Sequence, residues 1–283
     1  MAHTSILEPV DYLVVGHVAV DLTPRGPALG GTAAFASLTA SALGARVGLV
    51  TSCRADLDLA ALSQVSIHRL SSEENTIFEN RYTQGNRRQW LRSRALPLKL
   101  ENVPEVWRQA AIMHLAPIDD ELDPKKLSSP DRPFTGITPQ GWWRRVGADS
   151  RVFPLDPDAA LGRLPRADAC VFSEEDLQVD EDWLASADNR LGAIAVTKGR
   201  HGADVRWKGE IRHFAAPSVQ EIDPTGAGDI FAAVFFFIYS QTSDAWTAAR
   251  WATELATESV SREGLAGVPS TTRAAAILRE ATA

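Results

Sequence analysis

The stretch from residue 12 to residue 51 constrains the fold most. Tyr12-Leu13-Val14-Val15 is an apolar run closed by Gly16, the pattern of a buried strand. Gly30-Gly31 then opens an alanine-rich segment over 32–43, and Gly44 stands where a helix C-cap belongs. Residues 47–51 read as the next strand, and Asp56 is placed to cap a helix reaching about residue 64. Strand, helix, strand, helix at this spacing predicts a parallel sheet covered by helices. The rhythm resumes with strands over 111–115, 169–172 and 193–197. A hairpin follows from 205–207 to 211–214 through Lys208-Gly209-Glu210, then helices over 229–240, 243 to about 263, and 271–281. Residues 217–222 and 264–269 read as loops, and 124–139 shows no legible pattern.

Between these regions the pattern changes. Residues 76–82 and 87–94 are extended and polar on both faces, joined by Thr83-Gln84-Gly85-Asn86. Such a hairpin is poor core material and is expected to project as a flap. It carries Arg81, Arg87, Arg88, Arg92 and Arg94 with Tyr82 and Trp90 among them, a mixture that can bind single-stranded nucleic acid. A solvated hairpin or a lid is the commoner reason for such a cluster.

A chain of 283 residues has the size of one large α/β domain with a small appendage. With 45% hydrophobic and 23% charged residues it is globular rather than disordered. Its 29 basic against 36 acidic residues leave −7, which gives no whole-molecule attraction to nucleic acid or anionic membranes. Cys53 and Cys170 lie too far apart for a zinc or redox motif and read as buried thiols in a reducing cytoplasm. The first nine residues, with His3 and Glu8, lack a signal-peptide pattern. The longest apolar run, 230–239, is too short for a membrane span, which needs roughly 20 residues.

The strongest chemical signal is Asp223-Pro224-Thr225-Gly226-Ala227-Gly228-Asp229, leading into that apolar run. A helix starting near Asp229 points unsatisfied N–H groups and its positive end into a glycine loop, which suits phosphate. An ordinary glycine turn with a first-turn aspartate fits the local physics equally well. Thr197-Lys198-Gly199-Arg200-His201-Gly202 follows a buried strand and reads either as a second phosphate loop or as a tight turn. Asp21, just past the first strand and near Gly30-Gly31, is placed to accept hydrogen bonds from sugar hydroxyls or to sit solvated in a loop. The P-loop, the GxGxxG fingerprint (Phe231 replaces its third glycine), the G-x-S-x-G elbow and the H-E-x-x-H zinc helix are all absent.

Taken together, these motifs resemble the ribokinase-like (PfkB) carbohydrate kinases. The segment from Asp223 to Asp229 is similar to that family's C-terminal signature. Gly30-Gly31 with Leu43-Gly44 resembles its N-terminal signature, and Thr197 to Gly202 its T-x-G-x-x-G nucleotide loop. The resemblance implies a three-layer α/β/α fold with a central, mostly parallel sheet. Residues 1–283 would form one kinase domain, with a β-lid made mainly of about 75–95 plus segments near 17–28. It implies an ATP- and Mg²⁺-dependent kinase acting on a hydroxyl of a small sugar or polyol, inositol among them. The protein would be cytoplasmic, a homodimer paired through its lid, with no nucleic-acid or membrane partner.

The resemblance also assigns roles. Asp229 would be the base, with a pKa lowered by the helix N-terminus, and the amides of Gly226, Ala227 and Gly228 would hold the transferred phosphoryl group. Asp21, Gly30, Gly31, Phe35 and Asp229 would hold the acceptor. Thr197, Gly199, Gly202, Gly226, Gly228 and Thr253 would line the nucleotide site. Asp176 and Glu175 would support Mg²⁺ through water, and Asp223 would help bind K⁺. Two departures stand out. Phe35 replaces an acceptor-binding asparagine, as in the inositol-kinase-like branch, and Ser173 to Asp176 replaces N-x-x-E. A nucleoside or vitamin-precursor kinase, or a non-catalytic sugar or nucleotide sensor, are the alternatives.

Overall fold

The protein is described by a computed structural model covering residues 7–23, 25–83, 86–126 and 133–282. His3 and the Gln84-Gly85 turn lie outside the described residues, as do the side chains of Tyr82 and Arg87.

Strand β1 (Tyr12–Val15) is buried over its full length. The chain passes from it into β2 (Ala19–Thr23), β3 (Gly26–Gly30), α1 (Thr32–Ala42), β4 (Val47–Cys53) and β5 (Ser66–Ser71). Then come the hairpin β6 (Thr76–Thr83) and β7 (Asn86–Ser93), the core strands β8 (Ile112–Leu115) and β9 (Phe134–Ile137), and the short pair β10 (Arg144–Val146) and β11 (Val152–Pro154). Helix α2 (Pro157–Gly162), β12 (Ala167–Ser173), α3 (Glu181–Ala187) and β13 (Leu191–Thr197) follow. The chain closes with β14 (Ala203–Trp207), β15 (Glu210–Phe214), α4 (Ala227–Thr242), α5 (Ala245–Ser259) and α6 (Thr271–Ala281).

The main sheet has the order β15-β14-β13-β12-β9-β8-β1-β4-β5. It is parallel from β13 to β5 and antiparallel at the β14–β15 edge. Alternation along β1 decides what each face buries. Tyr12 and Val14 pack with α1, α4, α5 and α6 on one side. Leu13 and Val15 pack with Trp107, Trp142, Trp143 and the α2–α3 side on the other. Three layers result. The apolar run at 230–239 is explained by α4, whose Phe231, Phe235 and Phe236 are fully buried between the sheet and its neighbouring helices. Among the described residues no helix is long and apolar enough to cross a membrane.

A second sheet, ordered β3-β2-β6-β7, stands apart and packs through Phe78 and Leu91 against Ile118. The chain runs from β1 to β4 and β5 in one direction, while β8 to β13 extend the sheet in the other. The order therefore reverses between β1 and β8, and a crevice is expected beyond their C-terminal ends. Glu121, almost fully buried, holds that end together by accepting from the amides of His17 (3.0 Å), Ile118 (2.9 Å) and Asp119 (2.8 Å).

Two expectations are corrected. No helix follows Asp56, because β4 runs on to Cys53 and the Asp56 carboxylate is bound by the Arg54 guanidinium at 2.9 and 2.7 Å. Only a single turn, Ala60–Leu62, forms there, with Asp58 accepting from the Ala60 amide at 2.8 Å. The stretch over 124–139 contributes the buried strand β9, and 127–132 within it lies outside the described residues.

Candidate active site

Two helices begin side by side at left-handed glycines. Gly31 precedes α1 and Gly226 precedes α4, both with φ of +82°. No L-residue adopts that angle cheaply. At Gly226 there is a second reason: a Cβ would overlap the Phe35 ring. Phe35 is only 1% exposed. It props the Gly226 loop from beneath, so its expected contact with an acceptor is corrected to a supporting one.

Thr32, the first residue of α1, donates its hydroxyl hydrogen bond to Asp229, in the first turn of α4. Asp229 keeps partial access to solvent but lies deep among protein atoms. Loss of hydration raises its carboxyl to about 6; the Thr32 bond opposes this, Asp176 and Asp21 reinforce it, and Arg144 counters them. The expectation of a lowered pKa is therefore overturned: dehydration and like charges outweigh the helix N-terminus. The Ala227 amide is bonded to the Pro224 carbonyl at 3.2 Å, so it does not face a ligand. The amides of Gly228 and Asp229 have no carbonyl acceptor among the described residues, and a Cβ at Gly228 would meet nothing within 4 Å. That is where an anion has both donors and room.

On the small sheet, Asp21 lies over Gly30, where an added Cβ would stand 2.5 Å from its carboxylate. Asn80 donates to Asp21 at 3.3 Å, and Gln89 donates to Asn80 at 2.9 Å. This carboxylate–amide row was missed in the sequence, although the period-two alternation from Phe78 points to Asn80. The opposite face holds Glu79, paired with Arg81 and Arg92, and both guanidiniums lie over the Trp90 ring. Arg94 is paired with Asp119. Among the described hairpin side chains, three arginines are thus neutralised and the indole is covered by two of them.

Across the sheet, Thr197, Gly199 and Gly202 bound a turn closed by the Lys198 amide on the Gly202 carbonyl at 2.7 Å. The Lys198 ammonium is drawn to Asp204, which also binds His213 Nδ1 at 2.7 Å. His213 in turn lines a cleft of about 310 Å³ with Phe214, Pro217, Arg250 and Thr253. Thr253 is 5% exposed, and its hydroxyl finds no hydrogen-bond partner among the described residues. A larger cleft of about 340 Å³, beside Arg163, Arg166 and Arg190, opens at the N-terminal ends of β12 and β13 and shares no residue with this site.

Of the two residues expected to support Mg²⁺, Asp176 is otherwise engaged. Asp176 accepts from Arg144 at 3.1 Å and from Gln140 at 2.9 Å, while Glu175 is exposed. No group of three or more His, Cys, Asp or Glu fit to hold a metal occurs among the described residues. Asp223 accepts from the amides of Thr225 and Gly264, both at 2.9 Å. Burial alone would raise its pKa, but these bonds and the charge of Arg25 hold it below the usual value.

Comparison with known proteins agrees with this arrangement. The model of the pfkB family carbohydrate kinases matches residues 166–273, which include both glycine loops. A fructokinase from Escherichia coli is 29% identical over 261 residues, covering 78% of this chain and 81% of the relative. A cytidine kinase from Thermococcus kodakarensis is 26% identical over 260 residues, covering 82% and 89%. The solved structure of a pyrophosphate-dependent kinase in the ribokinase family, complexed with a pyrophosphate analog and myo-inositol, superposes with a TM-score of 0.73 at 21% identity, covering 89% of this chain and 96% of that one. Residues 166–273 of this chain are thus similar to the pfkB carbohydrate kinase family, and the chain has the fold of the ribokinase-family kinases.

Proposed function

We propose that the protein is an ATP-dependent kinase that transfers the γ-phosphoryl group to a hydroxyl of a small sugar or polyol, a cyclic polyol of the inositol kind fitting well. The observation that carries this reading is Asp229: a carboxyl with a pKa of about 6, at a helix start that offers donors and space to an anion, with Asp21 close by. The acceptor O–H gives its proton to Asp229 as its oxygen bonds to the γ-phosphorus. The P–O bond to the β-phosphate breaks, and its electrons leave on ADP. A base with this pKa is ionised at neutral pH without being too weak. The amides of Gly228 and Asp229, with Gly226 shaping the loop, face the charge on the phosphoryl group.

Asp21 accepts from acceptor hydroxyls, joined by the Asn80–Gln89 row, while Gly30 and Gly31 let the ligand approach the backbone. The Thr197–Gly202 turn carries the donor phosphates, and the base enters the cleft where Thr253 offers its hydroxyl. Bound with the donor, Mg²⁺ would supply charge neutralisation to the phosphates, and the exposed Glu175 would face it through water. Asp223 pins the loop where K⁺ would meet backbone carbonyls. The small sheet acts as a lid within one kinase unit spanning the chain. Its outer face, carrying Glu79 and Trp90, pairs two subunits of a cytoplasmic homodimer.

The nucleoside-kinase alternative needs a flat aromatic face for a base. Among the described side chains, Phe35 and Phe78 are buried, and Trp90 lies on the face of the hairpin opposite Asn80. The test is ADP release from MgATP with myo-inositol, ribose, fructose, 2-keto-3-deoxygluconate, adenosine and cytidine, with and without K⁺. Pyrophosphate serves as a second donor. Turnover with a sugar or polyol is expected. Turnover with nucleosides alone would replace this reading with the alternative, and ATP binding without turnover would favour a sensor.

A further inference from the structure

We propose that Arg144 is the cation that meets the transferred phosphoryl group, and that Asp176 positions it rather than supporting Mg²⁺. This rests on the kinase reading above.

Asp176 Oδ1 accepts from both Arg144 Nη2 and Gln140 Nε2, and the Arg144 and Asp176 side chains are each 13% exposed. A carboxylate held this way is a poor partner for a hydrated cation, yet a good anchor for a guanidinium.

Asp176 follows β12, whose end is tied to the nucleotide turn by the Glu174 amide on the Thr197 carbonyl at 3.0 Å. Asp176 and Arg144 are both close enough to Asp229 for their charges to act on it. The pair thus stands where the nucleotide turn and the start of α4 meet.

Asp21 and Asp176 are near enough to Asp229 for their charges to act on it, and a phosphoryl group arriving there is itself an anion. Three carboxylates without a cation would repel it, and Arg144 is the positive neighbour among the charges acting on Asp229. Guanidinium is suited to the task, since its planar fork matches phosphate oxygens.

Gln140 and Arg144 flank Trp142 and Trp143, both fully buried. Their indoles donate to the carbonyls of Leu122 (2.6 Å) and Ala160 (3.1 Å). The backbone at Arg144 is thereby fixed before any ligand arrives, as a positioning device requires.

The test measures binding of metal-free ATP and of inorganic tripolyphosphate to the full chain by calorimetry, beside the Mg²⁺ dependence of turnover. Arg144→Gln is expected to weaken both anions by about 10- to 100-fold, the usual range for a lost charge-assisted hydrogen bond. Arg144→Lys should recover part of that loss, because it keeps the charge but not the fork. Asp176→Asn should weaken the anions less and leave the half-saturating Mg²⁺ concentration unchanged. The double variant should bind anions no better than Arg144→Gln, whereas a purely structural ion pair would regain affinity once both charges are gone. Melting temperatures identify any variant that fails to fold, and Arg144→Lys, which keeps the ion pair, then carries the test. Unchanged anion affinity in Arg144→Gln, or a raised Mg²⁺ requirement in Asp176→Asn, would overturn the proposal. Since anion affinity is read without an acceptor, a chain that bound tripolyphosphate through Arg144 but turned over nothing would sink the kinase reading alone.

Discussion

Phe35 fills the space that a side chain at Gly226 would occupy. One residue comes from the first turn of α1 and the other from the turn before α4, so the anion loop rests on the N-terminal helix of the chain. Gly226→Ala should therefore fail twice, through its left-handed φ and through the Phe35 ring. Turnover is expected to drop at least ~100-fold with a fall in melting temperature. Gly226→Ala combined with Phe35→Leu should regain stability before it regains activity, which steady-state assays and thermal melts will separate.

Asp229→Asn keeps the shape of the side chain and removes the base. The kcat is expected to fall by about 10²–10⁴-fold, with ATP affinity nearly unchanged. In the wild type, kcat should rise with pH along a one-proton limb centred near 6, because the base must be ionised and its carboxyl titrates at about 6. Removing the Thr32 hydroxyl by Thr32→Val takes away a bond that favours the charged form, so the limb should move to higher pH. A limb that stays in place would show that Thr32 does not act on the base.

The same carboxyl has a stability consequence. Its folded pKa of about 6 lies above the ordinary 3.8, so the folded state resists ionising it. Stability from this group is therefore present at pH 4 and lost as pH rises through 6. Asp229→Asn should melt about 2–6 °C higher than the wild type at pH 8, with the gap closing near pH 4. Parallel melts across that range check the sign.

Thr253→Val tests the cleft. Burying a hydroxyl without a partner costs about 1–3 kcal/mol, so the variant should be more stable than the wild type when no nucleotide is bound. Its KM for ATP should rise several-fold while the KM for the acceptor stays put.

Asn80→Leu and Gln89→Leu should have the opposite selectivity. Each breaks the amide row leading to Asp21, and an acceptor hydroxyl then meets an apolar wall. The KM for a polyol should rise by about tenfold or more with ATP parameters unaffected. Equal changes in both KM values would place the row elsewhere in the mechanism.

Much of this molecule was written locally. The apolar run of β1, the alanine-rich helix ending at Gly44 and the run inside α4 are each set by short-range periodicity and by glycines at fixed offsets. That is enough to predict strands, helices and a parallel sheet. The loop from Asp223 to Asp229 was legible for the same reason, since a glycine turn entering an apolar helix is a contiguous signal. Asp56 was misjudged because Arg54, two residues away, takes the carboxylate that would have capped a helix.

Charge and burial were a different matter. A helix start by itself lowers the pKa of a nearby carboxyl, and only the packing of α1 against α4 reveals that Asp229 is dehydrated and flanked by Asp21 and Asp176. Phe35 looks like an acceptor residue until the Gly226 loop settles onto its ring. Arg144 carries no local signal at all, because its partner Asp176 lies 32 residues away and Asp229 farther still. Sequence alone determined the elements and the glycine loops, whose causes act within a few residues along the chain. Tertiary structure decided which charges share the site and how much water they keep, because both depend on neighbours brought together only by folding.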